Sequence, residues 1–239
     1  MFLALLPACS STAPDPRALP EAKASASSYK KSIDWSAFES TALVRTTRGK
    51  NIYICSAVLI RKDLALTTAH CVENSDKNEI LLGKSLSDPA LQSYLVNTAK
   101  IRIHPDYHSK ASFYESDLAV LPLLEPVPLT LFSAVADNKD LLLHTTESLE
   151  RVGFGMRNGQ NLRTWTEVFV EKTTTHVLYL HDLLSVIGDS GSAIFRRDGD
   201  ELTLVALHST LIDQGQVAAV YLPAFKTWIF EGKPASHSK

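Results

Sequence analysis

Short runs of β-branched and aromatic residues recur along the chain about every ten residues, and this rhythm constrains the fold more than any other feature. Such spacing is typical of β-sandwiches and β-barrels. Helical periodicity is clear only at residues 223–231, where Phe225, Trp228 and Ile229 share one face. The sequence therefore predicts an all-β chain that ends in one short helix, with strands near residues 41–47, 52–60, 64–68, 94–103, 118–124, 165–170, 175–180, 202–208 and 217–222.

Length and charge exclude several classes of protein. The chain has 239 residues, of which 45% are apolar, and a chain of this size buries roughly 70% of its unfolded surface in one large domain or two compact lobes. With 24 Lys+Arg against 26 Asp+Glu, the net charge is −2, so the basic excess needed to bind nucleic acid is absent. No apolar run approaches the roughly 20 residues that cross a bilayer. We therefore expect a globular protein that binds no nucleic acid.

The N-terminal segment is predicted to lie outside the folded domain. Residues 1–9 form a short apolar run ending in Leu6-Pro7-Ala8-Cys9, which resembles an export signal with a bacterial lipoprotein box, in which the cysteine is lipidated. Residues 10–32 are rich in Ser, Ala and Pro and indicate a disordered tether or pro-segment. We expect an exported protein that is extracellular, periplasmic or anchored to the outer membrane through Cys9; cleavage at residues 22–24 is the alternative.

Three segments carry candidate chemistry, and the first two lie in the N-terminal half. Cys55 and Cys71 bracket a strand-turn-strand, and Cys71 directly follows His70. A hairpin of that length can bring its ends within disulfide reach, which would clamp the backbone of the histidine, and an oxidising compartment favours the bond. Asp117 opens an apolar strand and would be partly buried, where a carboxylate needs a partner.

The third segment is a glycine-rich loop before a strand, Gly188-Asp189-Ser190-Gly191-Ser192. Such a loop presents a hydroxyl with backbone N–H groups beside it, and N–H groups in that position can hold an oxyanion. Taken singly, each of the three segments also has a structural explanation. The order of the three segments along the chain is a far more specific signal than any one of them alone.

Taken in order, His70, Asp117 and Ser190 resemble the chymotrypsin-like (trypsin-fold) serine endopeptidases, with the histidine inside Thr-Ala-His-Cys. The resemblance covers about residues 41–230. It implies a protease domain at residues 33–239, built from two six-stranded antiparallel β-barrels at about 33–130 and 131–239, with the active site in the cleft between them.

The resemblance also implies a role for each site residue. Ser190 is the nucleophile, His70 the general base and then the general acid, and Asp117 the group that fixes the histidine tautomer. The N–H groups of Gly188 and Ser190 form the oxyanion hole, and Ser209 matches a serine that hydrogen-bonds the aspartate. The expected substrates are proteins or peptides, the expected state is a monomer, and neither a metal nor an organic cofactor is required.

The predicted substrate-binding residues are Leu184, Ser185, His208 and Ser209. Trypsin-like members carry Asp where this chain has Leu184, so cleavage after Lys or Arg is not expected. Ser185 and His208 resemble the hydroxyl and imidazole with which glutamyl endopeptidases bind a substrate Glu, and His208 could gain a proton to pair with that carboxylate. Leu184 and Leu211 leave an apolar specificity open, and a catalytically silent binding module of the same fold is the remaining alternative.

Activation is the last expectation. In trypsin-like zymogens a cut creates a new ammonium, which pairs with the Asp before the nucleophile and opens the oxyanion hole. Asp189 occupies that place, but the Ile-Val-Gly-Gly that normally follows the cut is absent. Because a buried acid needs a partner, the hypothesis is processing after Lys31 or nearby, which gives an amine that reaches Asp189.

Overall fold

A computed structural model describes residues 33–108, 113–137 and 143–232 of the chain. The chain divides after Ile33 into two units, and the strands and helices below all belong to the second, Asp34–Lys239. The predicted lipidation site at Cys9, the tether at 10–32 and the predicted cut after Lys31 lie outside the described residues.

The first lobe contains a single-turn helix, α1 (Ala69–Val72), and the strands β1 (Thr41–Arg48), β2 (Asn51–Arg61), β3 (Leu64–Thr67), β4 (Lys77–Leu82), β5 (Gln92–Leu95), β6 (Arg102–Ile103) and β7 (Ala119–Pro122). They form one antiparallel sheet in the order β5-β4-β1-β2-β3-β7-β6. Asn97 N donates to Pro122 O at 2.8 Å, and Leu124 N donates to Leu95 O at 2.9 Å. These bonds join the ends of β5 and β7 and bring the sheet round into a barrel.

The turn between β1 and β2 sets the register of this lobe. Arg48 pairs with Asn51 across a two-residue turn, and Gly49 has a φ of 57°, which glycine adopts without steric cost. Alternate residues of each strand point inward. The buried cluster that results includes Ala42, Val44, Ala57, Leu59, Ala65, Ile80, Ala119 and Leu121.

The second lobe contains β8 (Ala134–Val135), β9 (Ser148–Gly153), β10 (Met156–Arg157), β11 (Gln160–Asn161), β12 (Thr164–Thr173), β13 (Val177–His181), β14 (Ala193–Asp198), β15 (Glu201–Asp213) and β16 (Gln216–Tyr221). Six strands pair in the order β14-β9-β12-β13-β16-β15, and β14 also pairs with β15, so the sheet closes into an antiparallel barrel. β8 joins β15 in parallel. β10 and β11 form a separate hairpin beside the barrel.

The predicted fold class, an all-β double barrel with a short C-terminal helix, is confirmed. Six strands form each barrel, and β6 is a seventh strand that pairs with β7 beside the first barrel. The single strand predicted at residues 94–103 is wrong. β5 ends at Leu95, and a 3-10 turn at Thr98–Lys100 separates it from β6.

β4 and β9 have no counterpart among the predicted strands, because each carries charged residues in a buried stretch. Glu79 of β4 is ion-paired with Arg45 at 2.9 Å. Glu150 of β9 accepts hydrogen bonds from Arg197 Nη2 at 3.0 Å and from the Trp165 indole at 2.9 Å. Partners on neighbouring strands make these charges tolerable inside the protein.

The chain ends in a 3-10 turn at Leu222–Phe225, followed by helix α2 (Lys226–Glu231). Gly232 ends α2 in the left-handed conformation, with a φ of 72°, and its N–H donates to Trp228 O. Within the described residues, no helix is long and apolar enough to cross a membrane.

α2 follows the second lobe in sequence but is held by residues of the first. Arg102 of β6 donates to Trp228 O at 2.8 Å and to Ile229 O at 2.6 Å. The buried ring of His104 packs edge-on against Phe225 and Trp228, with centroids 4.9 and 4.8 Å away. The end of the chain therefore ties the two lobes together.

Candidate active site

The His70 side chain lies in α1, directly after the buried strand β3, and is oriented by Asp117. The Asp117 carboxylate is fully buried. Its Oδ1 accepts the backbone N–H of His70 at 3.0 Å, and its Oδ2 lies 2.7 Å from His70 Nδ1. Ser209 Oγ donates to the same Oδ2 at 2.6 Å. Because a carboxylate only accepts hydrogen bonds, Nδ1 carries the proton, and Nε2 is the basic nitrogen of the ring.

The predicted disulfide between Cys55 and Cys71 is confirmed, with a Cα–Cα distance of 6.2 Å. It joins β2 to α1 immediately beside His70, whose Nε2 lies 3.6 Å from Cys71 Sγ. Arg48 donates to the carbonyl of His70 at 2.7 Å. The backbone that carries the imidazole is thus held on both sides.

Ser190 lies in the loop before β14, and this loop is tied to both lobes. Ser56 N of the first lobe donates to Ser190 O at 2.7 Å, and Gly191 N donates to His208 O at 2.8 Å. Gly191 has a φ of 82°, and a Cβ there would lie 2.0 Å from Ser56 O, so only glycine fits. Ser190 Oγ donates to Ser209 O at 3.2 Å. His70 and Ser190 line one cavity of about 810 Å³.

Two buried hydroxyls brace the turn that carries Gly188. Ser56 Oγ donates to Gly188 O at 2.9 Å and accepts the N–H of Phe154 at 2.8 Å. Ser192 Oγ donates to Ser56 Oγ at 3.2 Å. Gly188 itself has a φ of 94°. Within the part of the chain that the structure describes, the backbone N–H groups of Gly188 and Ser190 donate no hydrogen bond.

Asp189 is fully buried, and partners other than the predicted new amine already surround its carboxylate. Its Oδ2 accepts hydrogen bonds from Arg157 Nη2 at 2.9 Å and from Val186 N at 3.0 Å. Its Oδ1 accepts the N–H of Gly155 at 2.9 Å and lies 2.8 Å from Arg151 Nη1, a charge contact without the alignment of a hydrogen bond. Two guanidinium groups already neutralise this acid.

Arg151 is the largest fully buried side chain among the described residues and links two acids. Its Nε donates to Asp182 Oδ2 at 2.6 Å, on the side away from Asp189. Asp182 also accepts the N–H of Leu184 at 3.0 Å, which bends the chain there. An isolated charge is very costly to bury, so this arginine requires both carboxylates.

Ser185 and His208 both line the cavity of about 810 Å³, and Ser185 Oγ lies 2.7 Å from His208 Nε2. Burial first, and the nearby Arg151 guanidinium second, lower the pKa of His208 to about 4; Asp189 and Asp182 act weakly in the opposite direction. The imidazole is therefore neutral at pH 7 before a substrate binds.

Leu184, predicted at the base of the primary pocket, does not line the cavity; its side chain is 58% exposed. The predicted residues Ser185, His208 and Ser209 do line the cavity, and apolar side chains surround them, among them Met156, Val186, Ile187 and Leu211.

No sequence pattern predicts a role for Ser56, Arg151 or Arg157. Ser56 directly follows the half-cystine Cys55, and Arg157 lies just beyond Gly153-Phe154-Gly155. Their positions beside a half-cystine and beside a pair of glycines are the signals that could have found Ser56 and Arg157. Their partners become apparent only when β2, β9 and β10 meet the Gly188–Ser192 loop.

A double barrel in which a His and a Ser line one cavity, with a buried Asp behind the His, defines the class of chymotrypsin-like serine peptidases. Sequence comparison agrees with this class. The family model described as Trypsin matches residues 36–229, and the chain belongs to the trypsin family. It is also similar to mast cell protease 3 of the sheep (Ovis aries), with 31% identity over 104 residues. That alignment covers 44% of this chain and 38% of the sheep protein, so it spans less than two thirds of that relative.

Proposed function

We propose that the chain is a serine endopeptidase that uses Ser190, His70 and Asp117. The observation that carries the proposal is the buried chain of contacts from Ser209 through Asp117 to His70, which ends in the same cavity as the Ser190 hydroxyl. A serine hydroxyl is a weak nucleophile at neutral pH and needs a base poised near pH 7. An imidazole with its Nδ1 proton fixed by a carboxylate supplies that base.

In the first half of the reaction, Ser190 Oγ attacks the carbonyl carbon of the scissile bond while His70 Nε2 takes its proton. Ser190 Oγ donates to the Ser209 carbonyl in the structure, so the hydroxyl must leave this carbonyl and turn towards the imidazole before the attack. The negative charge that forms on the carbonyl oxygen is met by the N–H groups of Gly188 and Ser190. His70 then gives its proton to the leaving amine, and an acyl-enzyme remains.

In the second half, water attacks the acyl-enzyme and His70 Nε2 takes the water proton. The tetrahedral intermediate collapses, the bond to Ser190 Oγ breaks, and the proton returns to the serine. The carboxylic acid product leaves. Asp117 stays ionised throughout and stabilises the imidazolium formed in each half.

Within this activity, a preference for Glu before the scissile bond is supported by Ser185 and His208. A carboxylate entering the pocket meets a hydroxyl and an imidazole side by side. The incoming negative charge favours protonation of His208, so binding of Glu is coupled to uptake of a proton. We expect the ratio of kcat/KM for Glu over Gln substrates to fall as the pH rises from 6 to 8.5.

An apolar specificity is the second candidate, because Val186, Ile187 and Leu211 line the same cavity. The third reading, a silent binding module, predicts no turnover at all. The exposed position of Leu184 removes one of the two residues on which the apolar reading rested.

The test is to map cleavage sites in a denatured protein mixture by mass spectrometry, with Ser190→Ala as the inactive control. Cuts after Glu that vanish in this variant support both the triad and the pocket. Ser185→Ala should keep covalent labelling of Ser190 by a fluorophosphonate but weaken the preference for Glu. Cuts after Phe or Leu would discard the Glu preference, and an unlabelled Ser190 without any cuts would contradict the peptidase.

Export is part of the same proposal and is supported by the disulfide Cys55–Cys71, since such bonds persist in oxidising compartments. Lipidation of Cys9 is tested by growing cells with a labelled fatty acid. Label in the wild-type protein and none in Cys9→Ser is the expected result, and unlabelled wild-type protein would contradict the anchor.

A further inference from the structure

The carboxylate of Asp189 has no acceptor position left. A carboxylate offers about four lone-pair positions, two on each oxygen. Oδ1 faces Arg151 Nη1 and Gly155 N, and Oδ2 faces Arg157 Nη2 and Val186 N, all within 2.8 to 3.0 Å. A new ammonium could approach this acid only by displacing one of these groups.

The charges around Asp189 are also balanced. Arg151 and Arg157 contribute two positive charges, and Asp182 and Asp189 contribute two negative ones. Three of these four side chains are almost fully buried, with exposures of 1%, 1% and 0%, and Arg157 is 24% exposed. An additional ammonium would leave one unbalanced charge in a site of low dielectric constant, where such a charge is costly.

Arg157 joins neighbouring segments to the Gly188–Ser192 loop. Besides Asp189, its Nη2 donates to the carbonyl of Leu184 at 2.7 Å, and its Nη1 donates to Gly155 O at 3.3 Å. Asp189 lies between Gly188 and Ser190, the two residues whose N–H groups face the developing oxyanion. A guanidinium that fixes Asp189 therefore also fixes the spacing of these two donors.

We propose that Arg157, with Arg151 behind it, replaces the N-terminal ammonium of trypsin-like zymogens, so that the oxyanion hole is formed without a cut near Lys31. The inference rests on the proposed peptidase function. Both arginines are positioning residues, because they act through Asp189 and do not contact the reacting atoms. The cut after Lys31 then becomes unnecessary for activity.

A guanidinium and an ammonium predict different behaviour at high pH. An α-amino group loses its proton near pH 8, so an enzyme held open by one loses activity in alkaline solution. A guanidinium stays charged throughout the range in which proteins fold. We expect kcat/KM to stay level between pH 8 and pH 10.

The first experiment removes the processing site from the full chain. Lys30→Gln and Lys31→Gln are combined, and intact mass establishes that residues 31 and 32 remain joined. The double variant should keep kcat/KM within about twofold of the wild type. Activity that appears only after a protease has cut the chain near residue 31 would overturn the inference while leaving the peptidase function intact.

The second experiment removes the guanidinium. Arg157→Gln should lower kcat/KM between about 10- and 100-fold, since it loosens an oxyanion hole whose single donors are each worth that much or more. Arg157→Lys should restore part of the activity at pH 8 and lose it again above about pH 10, where lysine gives up its proton. The matched control is Arg196→Gln, which removes an arginine paired with Glu147 at 2.9 Å and leaves activity unchanged.

A wild-type rate in Arg157→Gln would overturn the inference. The inference would also be overturned if kcat/KM fell equally in Arg157→Gln and Arg157→Lys and the lysine variant showed no additional fall in kcat/KM above about pH 10. Failure of the function is distinct: neither cut nor uncut wild-type protein would then label at Ser190 with a fluorophosphonate.

Discussion

Acidification should destabilise the fold through His208, and the size of the effect follows from its burial. The pKa of this imidazole is about 4 in the folded protein and 6.5 in the reference state. Below pH 6.5 the unfolded chain binds a proton that the folded chain does not, so the free energy of unfolding falls as the pH falls. This contribution amounts to about 2 kcal/mol between pH 7.5 and pH 5, and about 3 kcal/mol by pH 4.

The assay is urea unfolding of the wild type and of His208→Gln at several pH values, with the disulfide intact. Other groups titrate in both proteins, so the difference between the two curves isolates His208. The wild type should lose about 2 kcal/mol more than the variant between pH 7.5 and pH 5. His144→Gln, which removes an exposed imidazole, should follow the wild type. Parallel curves for the wild type and His208→Gln would refute the reasoning.

Three further perturbations test other parts of the site. Replacing Cys55 and Cys71 together by Ser should lower the free energy of unfolding by about 3 kcal/mol and reduce kcat; an unchanged urea midpoint would contradict this. Gly191→Ala places a Cβ 2.0 Å from Ser56 O, so calorimetry should find a lower Tm and a peptide assay should find no turnover; wild-type values would mean that the loop is not held as described. Ser209→Ala removes a hydrogen-bond donor from the buried carboxylate of Asp117, which should lower the free energy of unfolding by about 1–3 kcal/mol. In steady-state kinetics the variant should have a lower kcat and an unchanged KM; a change confined to KM would assign Ser209 to substrate binding alone.

The two barrels, His70, Ser190 and the disulfide could be predicted because each depends on a pattern within a short stretch of sequence. Short runs of β-branched and aromatic residues identify most of the strands, and His70 and Ser190 each lie in a short motif. The disulfide follows from two cysteines at the ends of one hairpin. Strands with charged residues, such as β4, cannot be predicted in this way, because the arginine that pairs with Glu79 lies on another strand.

The supports of the site were not predictable, because their partners are far away in sequence. Ser56 reaches Gly188 across 132 residues, and Arg157 reaches Asp189 across 32. No local pattern distinguishes such a serine or arginine from one in solvent. Leu184 is the opposite case: its place in the sequence suits a pocket floor, but in the structure it is exposed and lies outside the cavity lining.

The contact between the last helix and the first lobe bears on how the protein unfolds. Arg102 and His104 bind α2 after the chain has completed the second barrel. Unfolding of either barrel therefore breaks the contacts between α2 and the first lobe and exposes Trp228. We expect one cooperative transition, with no populated state in which a single lobe is folded, and therefore a cleft whose two halves appear and disappear together.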